Sequence, residues 1–278
     1  MTQVGLKQKA KKVLLYIIAI AIMMPIIGFY KAEDSFLTPV RHTFETWSFE
    51  RTQRQAEQGL ADAQFQLAYL YAAGKGVSQD DAEAFKWTLM AAEQGKSEAQ
   101  YNIGLYYYIG QGVGQNYAES FKWYMKAADQ GLADAQNQVG IFYLKGKGVK
   151  QNYAEARGWF MKAAEQNLLE AYTNLGMLYF NGFGVKQDQG EALKWYLKAA
   201  EQGFPIAQGS LGVLYAIDGG VPRDDAKAFE WSMKAAKKGI AESQYNVGVM
   251  YEQGRGVAQN QAEADKWLNL AKENGYKK

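Results

Sequence analysis

The side chains that most often do chemistry in proteins are scarce in this chain: 278 residues hold one histidine and no cysteine. Without thiols there are no disulfides, no thiolate nucleophile and no zinc–thiolate centre. His42 alone can build neither a histidine-dependent triad nor a multi-histidine metal site, and it reads as an exposed linker side chain. What remains are carboxylates, amides and glycines, and they recur in fixed registers. Asp62, Glu98, Asp134, Glu170 and Glu242 form one column, with Ile206 in the remaining register. Gln66, Asn102, Gln138, Asn174, Ser210 and Asn246 form a second. Phe65, Tyr101, Asn137, Thr173, Gly209 and Tyr245 form a third, the most varied. A carboxylate pair in unique surroundings could act as general acid and base, but acids repeated in register offer no unique pair. Gly-x-Gly, which also recurs, is turn chemistry here rather than a phosphate cradle. No enzyme activity, cofactor or metal is therefore expected. The acid column suits a basic or amide-rich partner, or more plainly complements helix dipoles from the first turn. The amides could bond an extended peptide backbone or be polar filler, and the third column could read a partner or vary neutrally.

The elements that position these columns follow from one period. Trp87, Trp123, Trp159, Trp195, Trp231 and Trp267 are each 36 residues apart. Tyr71, Tyr107, Tyr143, Tyr179, Tyr215 and Tyr251 keep the same frame, as do Gly76, Gly112, Gly148, Gly184, Gly220 and Gly256. Such a period marks a repeat architecture, and aromatic side chains in fixed register read as core. Only four prolines against 29 glycines fits helices punctuated at intervals. In each unit a first helix, about 61–73 in the first repeat, has apolar residues at 3–4 spacing. It carries a small residue, Ala68 or Gly104, Gly140, Gly176, Gly212 and Gly248, which predicts close helix approach. A second helix opens at Asp80, Asn116, Asn152, Asp188, Asp224 and Asn260. Glu83, Glu119, Glu155, Glu191 and Glu263 follow three residues on, a capping-box pattern that Lys227 breaks. It closes at glycine, or at Asn167, in a left-handed stop.

Two regions depart from the pattern. Residues 44–59 read as an orphan second helix closing the apolar end of the first repeat, since solenoid ends must be covered. The fifth repeat carries Pro205, Ile206, Asp218, Pro222, Arg223 and Lys227 at unusual places. It is either a specialised contact patch or a drifted repeat, and drift is the plainer reading.

Ahead of the repeats, residues 13–30 carry no charge. At ~1.5 Å per residue they would span about 27 Å, near the thickness of a bilayer core, and Pro25 is tolerable there. Lys7, Lys9, Lys11 and Lys12 precede the stretch, while Lys31, Glu33 and Asp34 follow it. The positive-inside rule then predicts a cytoplasmic N-terminus and a single pass through the inner (cytoplasmic) membrane. The body would lie on the periplasmic or extracytoplasmic side. No small-residue cleavage pattern follows the stretch, so an uncleaved anchor is expected rather than a signal peptide. The net charge is +2, but most of the early charge is basic, leaving the later chain slightly acidic. That argues against a nucleic-acid partner.

Asn102, Ile103, Gly104 and Tyr107, then Gly110, Gly112 and Val113, then Trp123 to Gly131, carry a pattern that resembles the Sel-one-like repeat, a 36-residue relative of the tetratricopeptide repeat. The resemblance implies an all-α, right-handed α-solenoid of six 36-residue helix–turn–helix repeats, here joined to an N-terminal transmembrane helix. The expected layout is a basic cytoplasmic tail (1–12), a membrane helix (13–30), a linker (31–43), a capping helix (44–59), six repeats (60–275) and a short tail (276–278). Family members act as adaptors, and some bacterial members are immunity proteins against secreted toxins. By the same resemblance the first helices line a concave face that binds a protein or peptide. Asp62, Phe65, Gln66, Glu98, Tyr101, Asn102, Asp134, Asn137, Gln138, Glu170, Asn174, Tyr245 and Asn246 are then the expected partner-binding residues.

Overall fold

The computed structural model describes residues 33–277, all of whose regular structure is helical. The stretch expected to cross a membrane, 13–30, lies outside the described residues, and among those described no helix is long and apolar enough to cross a membrane. The helices are α1 (Glu33–Glu57), α2 (Ala61–Ala73), α3 (Asp81–Glu93), α4 (Ser97–Ile109), α5 (Tyr117–Asp129), α6 (Ala133–Lys145) and α7 (Tyr153–Glu165). They continue as α8 (Leu169–Asn181), α9 (Gln189–Ala200), α10 (Pro205–Ala216), α11 (Asp225–Lys237), α12 (Ala241–Gln253) and α13 (Gln261–Glu273). Even-numbered helices are the first (A) helices of the six repeats, and odd-numbered ones from α3 onward are the second (B) helices. Two compact units arise, one ending at Lys126 and one beginning at Ala127.

In the first unit, α1 corrects one expectation: the segment expected as a linker is already helical from Glu33, not from Phe44. Pro39 removes one amide donor, and no glycine offers a left-handed stop before Gly59, so nothing there compels the helix to begin later. The end of α1 packs as a B helix does. Phe49 meets Tyr71 edge-on at 5.4 Å, as Phe85 meets Tyr107 at 5.4 Å. Ala56, Ala63 and Leu67 form a small core with Phe49, Tyr71 and Trp87 against it, and Ile103 and Trp123 anchor the next. In the second unit the main core runs from Ala156 through Phe160, Leu175, Tyr196, Leu211 and Leu214 to Val221, with Val247 and Trp267 holding a smaller one.

The small residue of each A helix lies against the B helix that follows. A Cβ on Gly104 would stand 2.8 Å from the Tyr124 ring, and one on Gly176 would meet Tyr196. Ala68 is tolerated because its partner register holds the small Thr88, whose Oγ1 donates to Ala84 O. Trp123, Trp159 and Trp267 are buried, whereas Trp87, Trp195 and Trp231 are half-buried. Lysines roof several of these rings, Lys126 at 3.6 Å from the Trp123 centroid and Lys162 at 3.7 Å from that of Trp159.

The B-helix caps form, but not as reciprocal boxes. Asp80 Oδ1 accepts from the amides of Ala82 and Glu83, as Asn116 Oδ1 does from Ala118 and Glu119. The cap residue's own amide donates to the recurring tyrosine's carbonyl, Asp80 to Tyr71 O at 3.0 Å and Asn152 to Tyr143 O at 2.9 Å. With that donor already satisfied, the glutamate turns outward and pairs along the helix: Glu83 accepts from Lys86 and from Trp87 Nε1.

A candidate partner-binding face on the A helices

Each A helix buries one stripe and shows another. In α2 the buried side is Ala63, Gln64, Leu67 and Ala68, while Asp62, Gln66 and Tyr69 are exposed. Spacings of four and three put Asp62, Gln66 and Tyr69 on one stripe. The stripe repeats as Glu98, Asn102 and Leu105 on α4, Asp134, Gln138 and Ile141 on α6, and Glu170, Asn174 and Met177 on α8. It ends as Ile206, Ser210 and Val213 on α10, and Glu242, Asn246 and Val249 on α12. The third member was not anticipated from sequence. Every register there is apolar and at least part-exposed, with Tyr69 at 58% and Leu105 at 40%. Its signal is apolar residues kept just outside the buried stripe.

The acids differ from one another. Lys96 stands at the register that holds Leu60, Leu132, Leu168, Phe204 and Ile240 in the other repeats. Its ammonium lies 2.9 Å from Asp62 and 3.6 Å from Glu98, so it neutralises both. The Lys96 pKa is raised chiefly by its hydrogen bond to Asp62. Glu98 is held below the usual carboxylate range first by its own backbone amide at the helix start, then by Lys96. Asp134, Glu170 and Glu242 are exposed and make no ion pair among the described residues.

The third column sits lower than expected. Asn137 is 5% exposed, and its Oδ1 accepts from Asn174 Nδ2 at 2.8 Å, so these two amides bind each other across adjacent repeats. Asn137 is therefore not a surface contact; its register turns between neighbouring helices. Thr173 is buried as well, donating to Leu169 O. The aromatic members are half-buried: Phe65 lies beneath Lys96, Tyr101 tilts against Tyr124 at 5.2 Å and Tyr245 stacks on Tyr276 at 4.3 Å. Among the described residues no three histidine, cysteine or acidic side chains gather as a metal site.

Sequence reasoning also missed a structural column. Gln64, Gln100, Gln136, Gln208 and Gln244 are buried, and each Nε2 donates to the carbonyl of an alanine eight residues earlier. Three of the oxygens accept from the end of the same repeat: Gln94 donates to Gln64 at 2.7 Å, Gln166 to Gln136 at 2.9 Å and Asn274 to Gln244 at 2.9 Å. Where Tyr172 replaces the glutamine, Asn167 replaces the closing glycine, and the tyrosine hydroxyl donates to Asn167 Oδ1 at 2.9 Å. The paired departure at 167 and 172 was readable in the sequence.

Solved structures share this architecture. A protective antigen present in uropathogenic Escherichia coli strains, displaying an SLR fold, is 39% identical over 82% of this chain with a TM-score of 0.75. The match covers 49% of that antigen, so the chain spans about half its length. A Sel1 repeat protein from Oxalobacter formigenes is 32% identical, with 86% of this chain and 99% of that one covered and a TM-score of 0.74. The immunity protein PA5088 from Pseudomonas aeruginosa, 21% identical with 77% of this chain and 81% of that one covered and a TM-score of 0.53, shares the fold alone. No match was found among curated proteins. The Sel1 repeat model itself matches six consecutive stretches, 61–96, 97–132, 133–168, 169–204, 205–240 and 241–276, and with the helix pairs and their packing in place the chain belongs to the Sel1 repeat family.

Proposed function

We propose that this protein is a protein–protein interaction module, an adaptor or scaffold, that holds a protein or peptide partner on the exposed stripe of its A helices. One observation carries this reading. Several charged side chains on the exposed faces of the B helices are engaged within the chain, among them Lys122 with Glu119 and Lys126 over Trp123. The A-helix stripe sets carboxylates at Asp134, Glu170 and Glu242, which make no ion pair among the described residues, beside polar and part-exposed apolar residues in every repeat. Acid, amide and apolar columns side by side suit an extended segment, bonded through its backbone and side chains. Residues 13–30 would tether the module to the inner membrane with its repeats on the periplasmic side.

The test is cross-linking and affinity capture with the full chain, followed by Asp134→Lys, Gln138→Ala and Glu170→Lys together in the second unit. All three side chains lie outside the core, so the melting curve should hold while capture falls at least tenfold. Undiminished capture would remove the A-helix stripe from consideration. An immunity role, in which the same stripe neutralises a secreted toxin, is supported by the fold shared with the Pseudomonas aeruginosa immunity protein and differs in the partner retrieved. A reporter active only outside the cytoplasm, fused after Lys278, tests the tether: it should work, and full-length protein should remain with membranes. Soluble protein lacking residues 1–31 would overturn the anchor.

A further inference from the structure

The fifth repeat leaves a notch in the A-helix stripe. Gly209 stands where the other repeats hold Phe65, Tyr101, Asn137, Thr173 and Tyr245, so at this register no side chain fills the space between α10 and its neighbours. The result is a cavity of about 170 Å³. Its walls are Phe180, Tyr196, Val213 and Ile240, and Ile206, 55% exposed, stands at its rim. The deepest polar group is Ser243, 2% exposed, in a register held by alanine in the other five repeats. A Cβ on Gly209 would lie 2.7 Å from its Oγ, which places the hydroxyl beneath the glycine. That hydroxyl makes no hydrogen bond among the described residues.

We infer that this notch seats one large apolar side chain, of the phenylalanine or leucine class, from a partner segment that carries a lysine or arginine beside it. The inference rests on the reading of the A-helix stripe as a binding face and names the chemistry that face selects. Size supports it, because an apolar cavity of roughly 150 Å³ takes a benzene ring. Charge supports it too. The lining holds one acid, Glu242, and no base, and Glu242 makes no ion pair among the described residues. Asn246, also in the lining, has both donor and acceptor of its amide free among the described residues, so it can hold the backbone of the incoming segment. The three departures that build the notch, Ile206 for an acid, Gly209 for a larger residue and Ser243 for alanine, lie in two successive repeats and converge on one cavity. Of the fifth repeat's departures, Ile206 and Gly209 line this cavity.

The experiment is methyl NMR on the full chain in phosphocholine micelles, following Ile206, Val213 and Ile240 during titration with three capped pentapeptides. Their central triplets are Lys-Phe-Lys, Lys-Ala-Lys and Glu-Phe-Glu. The first should move these methyls saturably and bind about tenfold more tightly than the second, the least expected when a ring rather than a methyl is buried. It should exceed the third by a similar factor, and that advantage should shrink in high salt. Gly209→Tyr, which restores the side chain present in the second and sixth repeats, should abolish the response. Because that ring would crowd Ser243, Ile206→Ser, which removes the apolar rim at an exposed position without adding charge, is the second variant and should weaken binding at least fivefold. Equal binding of all three peptides overturns the inference, as does an unchanged response of Val213 and Ile240 in Ile206→Ser. Shifts confined to Leu105, Ile141 and Met177 would remove the notch and leave the stripe standing. Notch shifts that follow protein rather than peptide concentration would mean a second copy fills it, and would also overturn the inference. A notch that binds as described beside a triple variant that still captures its partner would instead sink the broader stripe reading.

Discussion

Replacing Lys238 by glutamine should make the protein more stable. Gln208 is 5% exposed and donates Nε2 to Ala200 O at 3.1 Å. Its Oε1 is buried with no partner among the described residues. The equivalent oxygens of Gln64, Gln136 and Gln244 each accept from an amide thirty residues further along. In that register the fifth repeat has Lys238, whose ammonium donates instead to Gly203 O. Gln166 shows that one amide serves both acceptors, reaching Gly131 O at 2.8 Å and Gln136 Oε1 at 2.9 Å. Lys238→Gln should therefore keep the bond to Gly203 and add one to Gln208. A hydrogen bond gained by a buried unsatisfied acceptor is worth about 1 kcal/mol, up to roughly 2 kcal/mol. In a chain of this size that raises the melting temperature by about 2–4 °C. Urea unfolding of the full chain, with amide exchange over 205–240 to localise the gain, reads the effect. The decisive control is the double-mutant cycle, because in a Gln208→Leu background the acceptor is gone and Lys238→Gln should gain nothing. An unchanged or lower stability, or the same gain in both backgrounds, would refute the reasoning.

Other expectations follow from the same packing. Asp225 accepts from Arg223 and from Arg255 of the next repeat, and these guanidiniums pull its pKa down to about 2. A depressed carboxylate stabilises the fold above its unfolded pKa of ~3.9, and that contribution is lost as pH falls toward 2; at a side chain 29% exposed it should be about 1 kcal/mol after solvent screening. Asp225→Asn should flatten the stability profile between pH 4 and pH 2 in acid titrations. Trp159→Ala should cost ~3–5 kcal/mol, with exchange rising in the third repeat before more distant parts of its unit, and a uniform rise would contradict it. Gly140→Ala should cost ~1–3 kcal/mol because its Cβ would strike the Phe160 ring. Gly158→Ala, with open space around its Cβ in the middle of a B helix, should gain up to ~1 kcal/mol in the same melts.

What was legible in the sequence is what the period fixes. Gly104 and its equivalents predicted close helix contacts because a mid-helix glycine is costly without one, and Tyr124, Phe160 and Tyr196 occupy the space saved. Asn167 predicted a left-handed stop, and its φ is 63°. What escaped were facts that need two helices at once. The Glu83 register looked like half of a capping box, because the carbonyl of Tyr71 that takes the Asp80 amide belongs to the preceding helix. Gln64 looked like any polar residue beside Ala63, since its burial depends on the carbonyl of Ala56 and the amide of Gln94. Asn137 looked exposed because nothing local to it reveals Asn174, a repeat away. Lys126, in turn, would have seemed a neutral control, yet it lies on the Trp123 ring.

These cases separate two kinds of departure from the repeat. At a register that joins neighbouring repeats, a change must be matched by its partner or leave a cost. The register in the inter-helix loop shows the matched kind. Gln111 donates to Asp81, Phe183 stacks on Tyr153 at 5.1 Å and Arg255 pairs with Asp225, three chemistries for one joint. Lys238 opposite Gln208 is the unmatched kind, and the cost it leaves is the buried oxygen. The A-helix stripe follows neither rule. Gly209 and Ser243 offset each other only in part, since the serine hydroxyl lies beneath the glycine, and with Ile206 at the rim their combined effect is an opening rather than a repaired contact. A residue whose change is answered by no other residue of its own chain is under a constraint from outside it, or under none. Ile206 is such a residue, and its place at the rim of one cavity, beside an acid and an amide left free, favours the constraint.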